Sequence, residues 1–177
     1  MLKKILLVIV ALVAVFLIVA AMQPAAFRVV RSATISAPPA VVFAQVNDLH
    51  AWQEFSPWAK LDPKVKNTYE GPRVGIGATM AWEGNSQVGQ GRMTITESKP
   101  NEVIRMKLDF IKPMESTSTA EFTFKAQGDK TLVTWSMAGE NNFIGKVFCL
   151  VMNMDKTVGG DFEKGLANLD TLVAPKK

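Results

Sequence analysis

The reactive side chains of this sequence stand mostly alone. Cys149 is the single cysteine, so the chain can form no internal disulfide, Cys-x-x-Cys redox pair or thiolate zinc site. It reads as a small buried hydrophobe, the usual setting of a free thiol. His50 is the single histidine, beside Trp52, with no carboxylate or nucleophile in a pattern that would use it as a base. A solvated or capping role near a helix end is expected of it. Glu83, Asp109, Glu121 and Glu140 fall at polar-face or turn positions, and no two of them form a pair that could share a proton. General acid–base catalysis needs hydrogen-bond reach between its groups. The glycine pairs Gly75-x-Gly77 and Gly89-x-Gly91 neither fit a phosphate loop nor open a helix, and read as turns and bulges. No catalytic residue, metal or cofactor is expected.

A different chemistry is carried by methionines and aromatic rings. Met80, Trp82, Met106, Phe110, Phe122, Trp135 and Phe162 are the candidate lining of an apolar pocket. Methionine is flexible and polarizable and adapts to ligands of varied shape, and apolar walls with a few polar groups are the usual form of a small-molecule site. The competing expectation is that these residues fill an ordinary core. Trp58, in a Ser-Pro-Trp segment, is expected under the sheet edge or at a cavity mouth.

The elements that must position these side chains follow from periodicity. Residues 27–36 (FRVVRSATIS) alternate and are rich in β-branched residues, predicting a first strand. Pro38 and Pro39 suit a first helical turn, and Val42, Phe43 and Val46 recur at helical spacing. A second short helix is expected over 50–55 and a short strand over 65–69, followed by a glycine-marked turn at 71–77. Then one parity places Met80, Trp82, Met93, Ile95, Ile104, Met106, Leu108, Phe110, Phe122, Phe124, Val133, Trp135 and Met137 on one face. Charged residues and threonines occupy the other, which describes an antiparallel sheet covered on one side. Gly128-Asp129 predicts a hairpin between the last two strands.

The cover must be helical. The run 143–155 (FIGKVFCLVMNMD) is apolar enough for a helix lying on the sheet, and Val158, Phe162, Leu166, Leu169 and Val173 step by three or four into an amphipathic helix. Gly159 and Gly160 fall near its start and predict a bend or break there. The order strand, two helices, six strands and long terminal helix gives an α+β fold, a curved antiparallel sheet of about seven strands wrapped around a helix.

Ahead of this domain, residues 5–22 (ILLVIVALVAVFLIVAAM) carry no charge and follow Lys3 and Lys4. A spanning helix needs about 20 apolar residues, whereas the apolar region of a cleaved signal is about 7–15. The length favours an anchor over residues 1–26 ahead of a domain over 27–177; Val19 and Ala21 keep a cleaved signal, and so a secreted or periplasmic domain, as the alternative. The short basic head places the amino terminus inside and the domain on the extracytoplasmic side, although Arg28 and Arg31 nearly balance the count. With a formal net charge of +4 and scattered Lys and Arg, nucleic acid is not an expected partner. No protein partner is indicated.

Ile35-x-x-Pro38, Phe55-Ser-Pro-Trp58 with Asp62-Pro63, Trp82-x-Gly84, Thr134-Trp135 with Gly139, and Asp161-Phe-Glu-Lys-Gly165-Leu-Ala-Asn-Leu169 occur in that order. In these motifs the chain from about Arg28 to Val173 resembles the START-like (SRPBCC) superfamily, within it the polyketide cyclase/dehydrase-type proteins. The resemblance implies the helix-grip (START/Bet v 1-like) fold and a membrane-anchored binder or carrier of a hydrophobic small molecule, lipid-like or polyketide-like. It equally admits a protein-interaction module or a cyclase/dehydrase-type enzyme, since the fold hosts all three.

Overall fold

The computed structural model describes residues 1–175, so the last two residues of the 27–177 unit lie outside it. Helix α1 (Leu2–Met22) leads into β1 (Ala26–Ile35), followed by α2 (Pro39–Asn47) and α3 (Trp52–Phe55). Six strands follow: β2 (Lys66–Glu70), β3 (Thr79–Glu83), β4 (Gln90–Lys99), β5 (Val103–Lys112), β6 (Ser116–Gln127) and β7 (Lys130–Glu140). Helices α4 (Phe143–Val151) and α5 (Met154–Val173) complete the order. The seven strands form one antiparallel sheet in the order β1-β7-β6-β5-β4-β3-β2. This is the helix-grip fold, with α5 in the grip of the sheet.

The register gives the sheet two distinct ends. Ala26 pairs with Glu140, Ser118 with Gly139, Phe110 with Ser116, Gln90 with Lys112, and Glu83 with both Gln90 and Lys66. These residues therefore lie at the end where β1 leaves α1, the proximal end. The distal end holds the turns after β2, β4 and β6, and α2 closes it. Phe43 of α2 meets Phe124 edge-on at 5.5 Å, Ser98 donates to Asn47 (2.9 Å), and Asp48 bridges Val74.

Local sequence explains the helix boundaries. Pro39 opens α2, where a missing N–H costs nothing. Asn142 and Asn153 each cap a helix by accepting a backbone N–H three residues on, from Gly145 and Lys156 (2.9 Å each). The chain therefore breaks at Met152–Asn153, and α5 runs unbroken through Gly159 and Gly160, where the sequence predicted a bend.

Gly159 serves a different end. A Cβ there would sit 2.0 Å from Nη2 of Arg31, which projects from the concave face of β1 across the helix. Arg31 donates from Nε to Glu163 (2.6 Å), from Nη1 and Nη2 to the two Asp155 oxygens (3.0 Å each), and to the Asp155 carbonyl (2.8 Å). Two carboxylates about two turns apart on one face of the helix thus hold α5 on β1. At the far end of α5, Asp170 accepts from the Ser36 N–H (2.6 Å).

A second expectation is corrected at α4. It does not lie on the sheet but stands at the proximal end against α1, with Phe143, Ile144, Phe148 and Val151 exposed. Its apolar residues meet no core because α5 already occupies the concave face. Helix α1 is itself long and apolar enough to cross a membrane, and Ala20 is its one buried residue.

Candidate functional site

The concave-face residues converge on an aromatic wall. Trp135 of β7 stacks between Phe162 of α5 (centroids 4.1 Å apart, 7° between planes) and Phe122 of β6 (4.7 Å, 28°). Trp52 and Trp58 meet the Trp135 ring edge-on at 5.7 and 5.9 Å, the geometry the ring quadrupole favours. Close approach of α5 is permitted by Gly165, where a Cβ would lie 2.6 Å from the Trp135 ring.

The interior in front of this wall is not filled. A cavity of about 560 Å³ lies between the α3/α5 side and strands β3–β7, within the 300–1,000 Å³ typical of small-molecule sites. Of the seven residues singled out in the sequence, six border it: Met80, Trp82, Met106, Phe110, Trp135 and Phe162. Phe122 does not, because it is fully buried behind the Trp135 ring. Trp58 also borders the cavity, packed against Trp135 and Phe162 rather than under the sheet edge.

Sequence reasoning passed over several further walls. Met93 and Leu108 share the inward parity and could have been chosen by it. Trp52, Phe148 and Val158 come from helices, which alternation does not describe, and Phe27 opens the first strand. Cys149 borders the cavity half-buried, its Sγ accepting from Asn141 Nδ2 at 3.4 Å. His50 lies elsewhere, stacked on Tyr69 at 3.9 Å with Nδ1 3.4 Å from Asp48.

Polarity is distributed unevenly along the cavity. Its charged bordering residues, Lys112, Glu115 and Glu140, are exposed and lie at the proximal end. The exposed bordering residues 86–87, 112–113, 115–116, 140, 142 and 148 all belong to that end, so the mouth opens there. Two buried polar atoms among the bordering residues lack a partner, Nε1 of Trp135 and Oδ1 of Asn67. An unpaired buried donor or acceptor costs about 1–3 kcal/mol, and both atoms are closed off from water.

Such a space can enclose an apolar body. Among the described residues no three His, Cys, Asp or Glu side chains come together in a way that could hold a metal ion.

Comparison with known proteins agrees with this fold. Crystal structures sharing the fold include protein CV1439 from Chromobacterium violaceum, with TM-score 0.61 at 17% identity, covering 87% of this chain and 100% of that one. Ginseng major latex-like protein 151 from Panax ginseng has TM-score 0.61 at 11% identity, covering 85% and 99%. CalU16 from Micromonospora echinospora has TM-score 0.56 at 16% identity, covering 86% of each. At these identities the likeness shows the fold alone. No curated protein matches the sequence. The family described as polyketide cyclase / dehydrase and lipid transport matches residues 26–174, nearly all of the chain beyond α1. The chain therefore belongs to the polyketide cyclase/dehydrase and lipid transport family, in the SRPBCC superfamily.

Proposed function

We propose that the protein is a membrane-anchored binder of a hydrophobic small molecule, lipid-like or polyketide-like, held in the internal cavity with α1 as the anchor. The observation that carries this reading is the open apolar cavity of about 560 Å³ beneath the Trp135 wall. Burying an apolar ligand there is worth roughly 25 cal/mol per Å² of surface removed from water. The charged groups bordering the space stay at its exposed rim, which supports binding over acid–base catalysis. An interaction module with a self-filled interior fits less well, because the interior is not dense.

Native mass spectrometry of the full chain, purified in mild detergent from its own host and then solvent-extracted, tests the reading. A stoichiometric extra mass that leaves on extraction is expected. A bare protein that also ignores a fluorescent fatty-acid probe would instead favour the interaction module. Leu108→Trp, which adds bulk at a half-buried position on the cavity wall, is expected to weaken probe binding at least tenfold while the fold is retained.

A further inference from the structure

The apolar surface of the domain is concentrated on α4. Beyond α1, five of the twelve exposed large hydrophobic residues among those described fall within residues 143–152: Phe143, Ile144, Phe148, Val151 and Met152. Ile144 and Val151 are 61% and 74% exposed. A run of this kind on a soluble surface marks a contact with a protein or a membrane.

Three further observations say which. First, α4 packs directly against α1, so its exposed face continues the apolar surface of the proposed spanning helix. Lys146 Nζ donates to the Ala21 carbonyl (3.3 Å), in the last turn of α1, where a helix leaving the bilayer exposes its unpaired carbonyls. Second, only residues 23–25 separate α1 from β1, and Asn141 N–H donates to the Ala25 carbonyl (2.8 Å), which ties the start of α4 to that linker. A three-residue span reaches about 10 Å, so α4 cannot lie far from the surface that α1 leaves. Third, Phe148 and Cys149 of α4 border the cavity mouth itself.

We propose that α4 docks in the headgroup–acyl boundary of the bilayer that α1 crosses, so that the cavity mouth opens onto lipid rather than water. This rests on the anchor reading of α1. An amphipathic helix of this type lies in the interface with its apolar face about 5–10 Å below the headgroups. Phe143, Ile144, Phe148 and Val151 are the buried face, and the mouth then admits an apolar molecule without passage through solvent.

The test places nitroxide labels on the full chain, with Cys149→Ser removing the native thiol, in nanodiscs of phosphatidylcholine and phosphatidylglycerol. Labels enter at Ile144→Cys and Val151→Cys, with Val10→Cys in α1 and Val74→Cys at the distal end as references. All four positions are exposed, so the labels displace no packing. Collision with oxygen, which concentrates among acyl chains, is compared with collision with a nickel chelate, which stays in water. Labels at 144 and 151 are expected to favour oxygen by several-fold over the label at 74. If they match the label at 74 while the label at 10 reads as acyl, the docking of α4 is overturned and the anchor stands. If the label at 10 is also aqueous, the anchor fails and the docking with it. Neither readout needs a bound ligand, so an empty cavity would not blur the answer.

Discussion

Trp135 joins packing to recognition in one side chain. Its ring is held by Phe122 and Phe162, while its Nε1–H has no partner. Trp135→Phe keeps most of the stacked area and removes the orphan donor, so stability should change by less than about 1.5 kcal/mol. If a small shift of the wall lets a ligand oxygen accept from the buried Nε1, the same variant should bind a fluorescent fatty acid about fivefold more weakly, from the ~1 kcal/mol a net hydrogen bond contributes. Urea unfolding and probe titration separate the two effects. Trp135→Ala, by contrast, should cost about 3–5 kcal/mol by opening the wall itself.

At the scale of elements, the seam between β1 and α5 depends on Arg31 and Gly159. Gly159→Ala would drive a methyl into the guanidinium, and either the ion pairs or the helix must shift; a loss of about 1–3 kcal/mol is expected, read as a lowered urea midpoint. The Arg31 hydrogen bonds hold the Asp155 carboxyl below the usual carboxylate range. A depressed folded pKa contributes stability above the unfolded value of about 3.9, and that contribution is lost as pH falls through the folded value. Arg31→Met should therefore flatten the loss of stability as pH falls below the unfolded value, by a small amount because Asp155 is mostly exposed. The sheet was legible in the sequence because one face of it is buried and the other wet, so Met80 to Met137 alternate. The position of α4 was not, since an apolar helix reads the same whether it covers a sheet or stands at a surface. Nor was the continuity of α5 through Gly159 and Gly160, because spacing alone does not reveal a partner such as Arg31 arriving from more than a hundred residues away. The sheet side of the cavity wall could be read from parity, but its helical and loop sides could not, and neither could the emptiness of the enclosed space, since that depends on how far α5 stands from β3–β5.

For the whole molecule, the orientation of α1, where it spans a membrane as proposed, sets which side the cavity occupies. With the amino terminus inside, a phosphatase fused after the last residue should be active only when exported, and a fluorescent protein that matures in the cytoplasm should stay dark there. The opposite pattern would reverse the topology. A mass starting at Met1 in the purified protein would separate an anchor from a processed signal. The structure also bears on transport itself. The distal end of the grip is shut by α2, leaving the proximal mouth as the exposed opening bordering the cavity. On the proposed reading of α1 as an anchor, a vessel with one door cannot be a conduit, because whatever enters must leave by the same way, and a leash of three residues leaves it no room to ferry cargo to a distant membrane. On that same reading its capacity is a matter of headcount: molecules withheld from the bilayer, or offered to a visiting protein, cannot outnumber the copies of the chain.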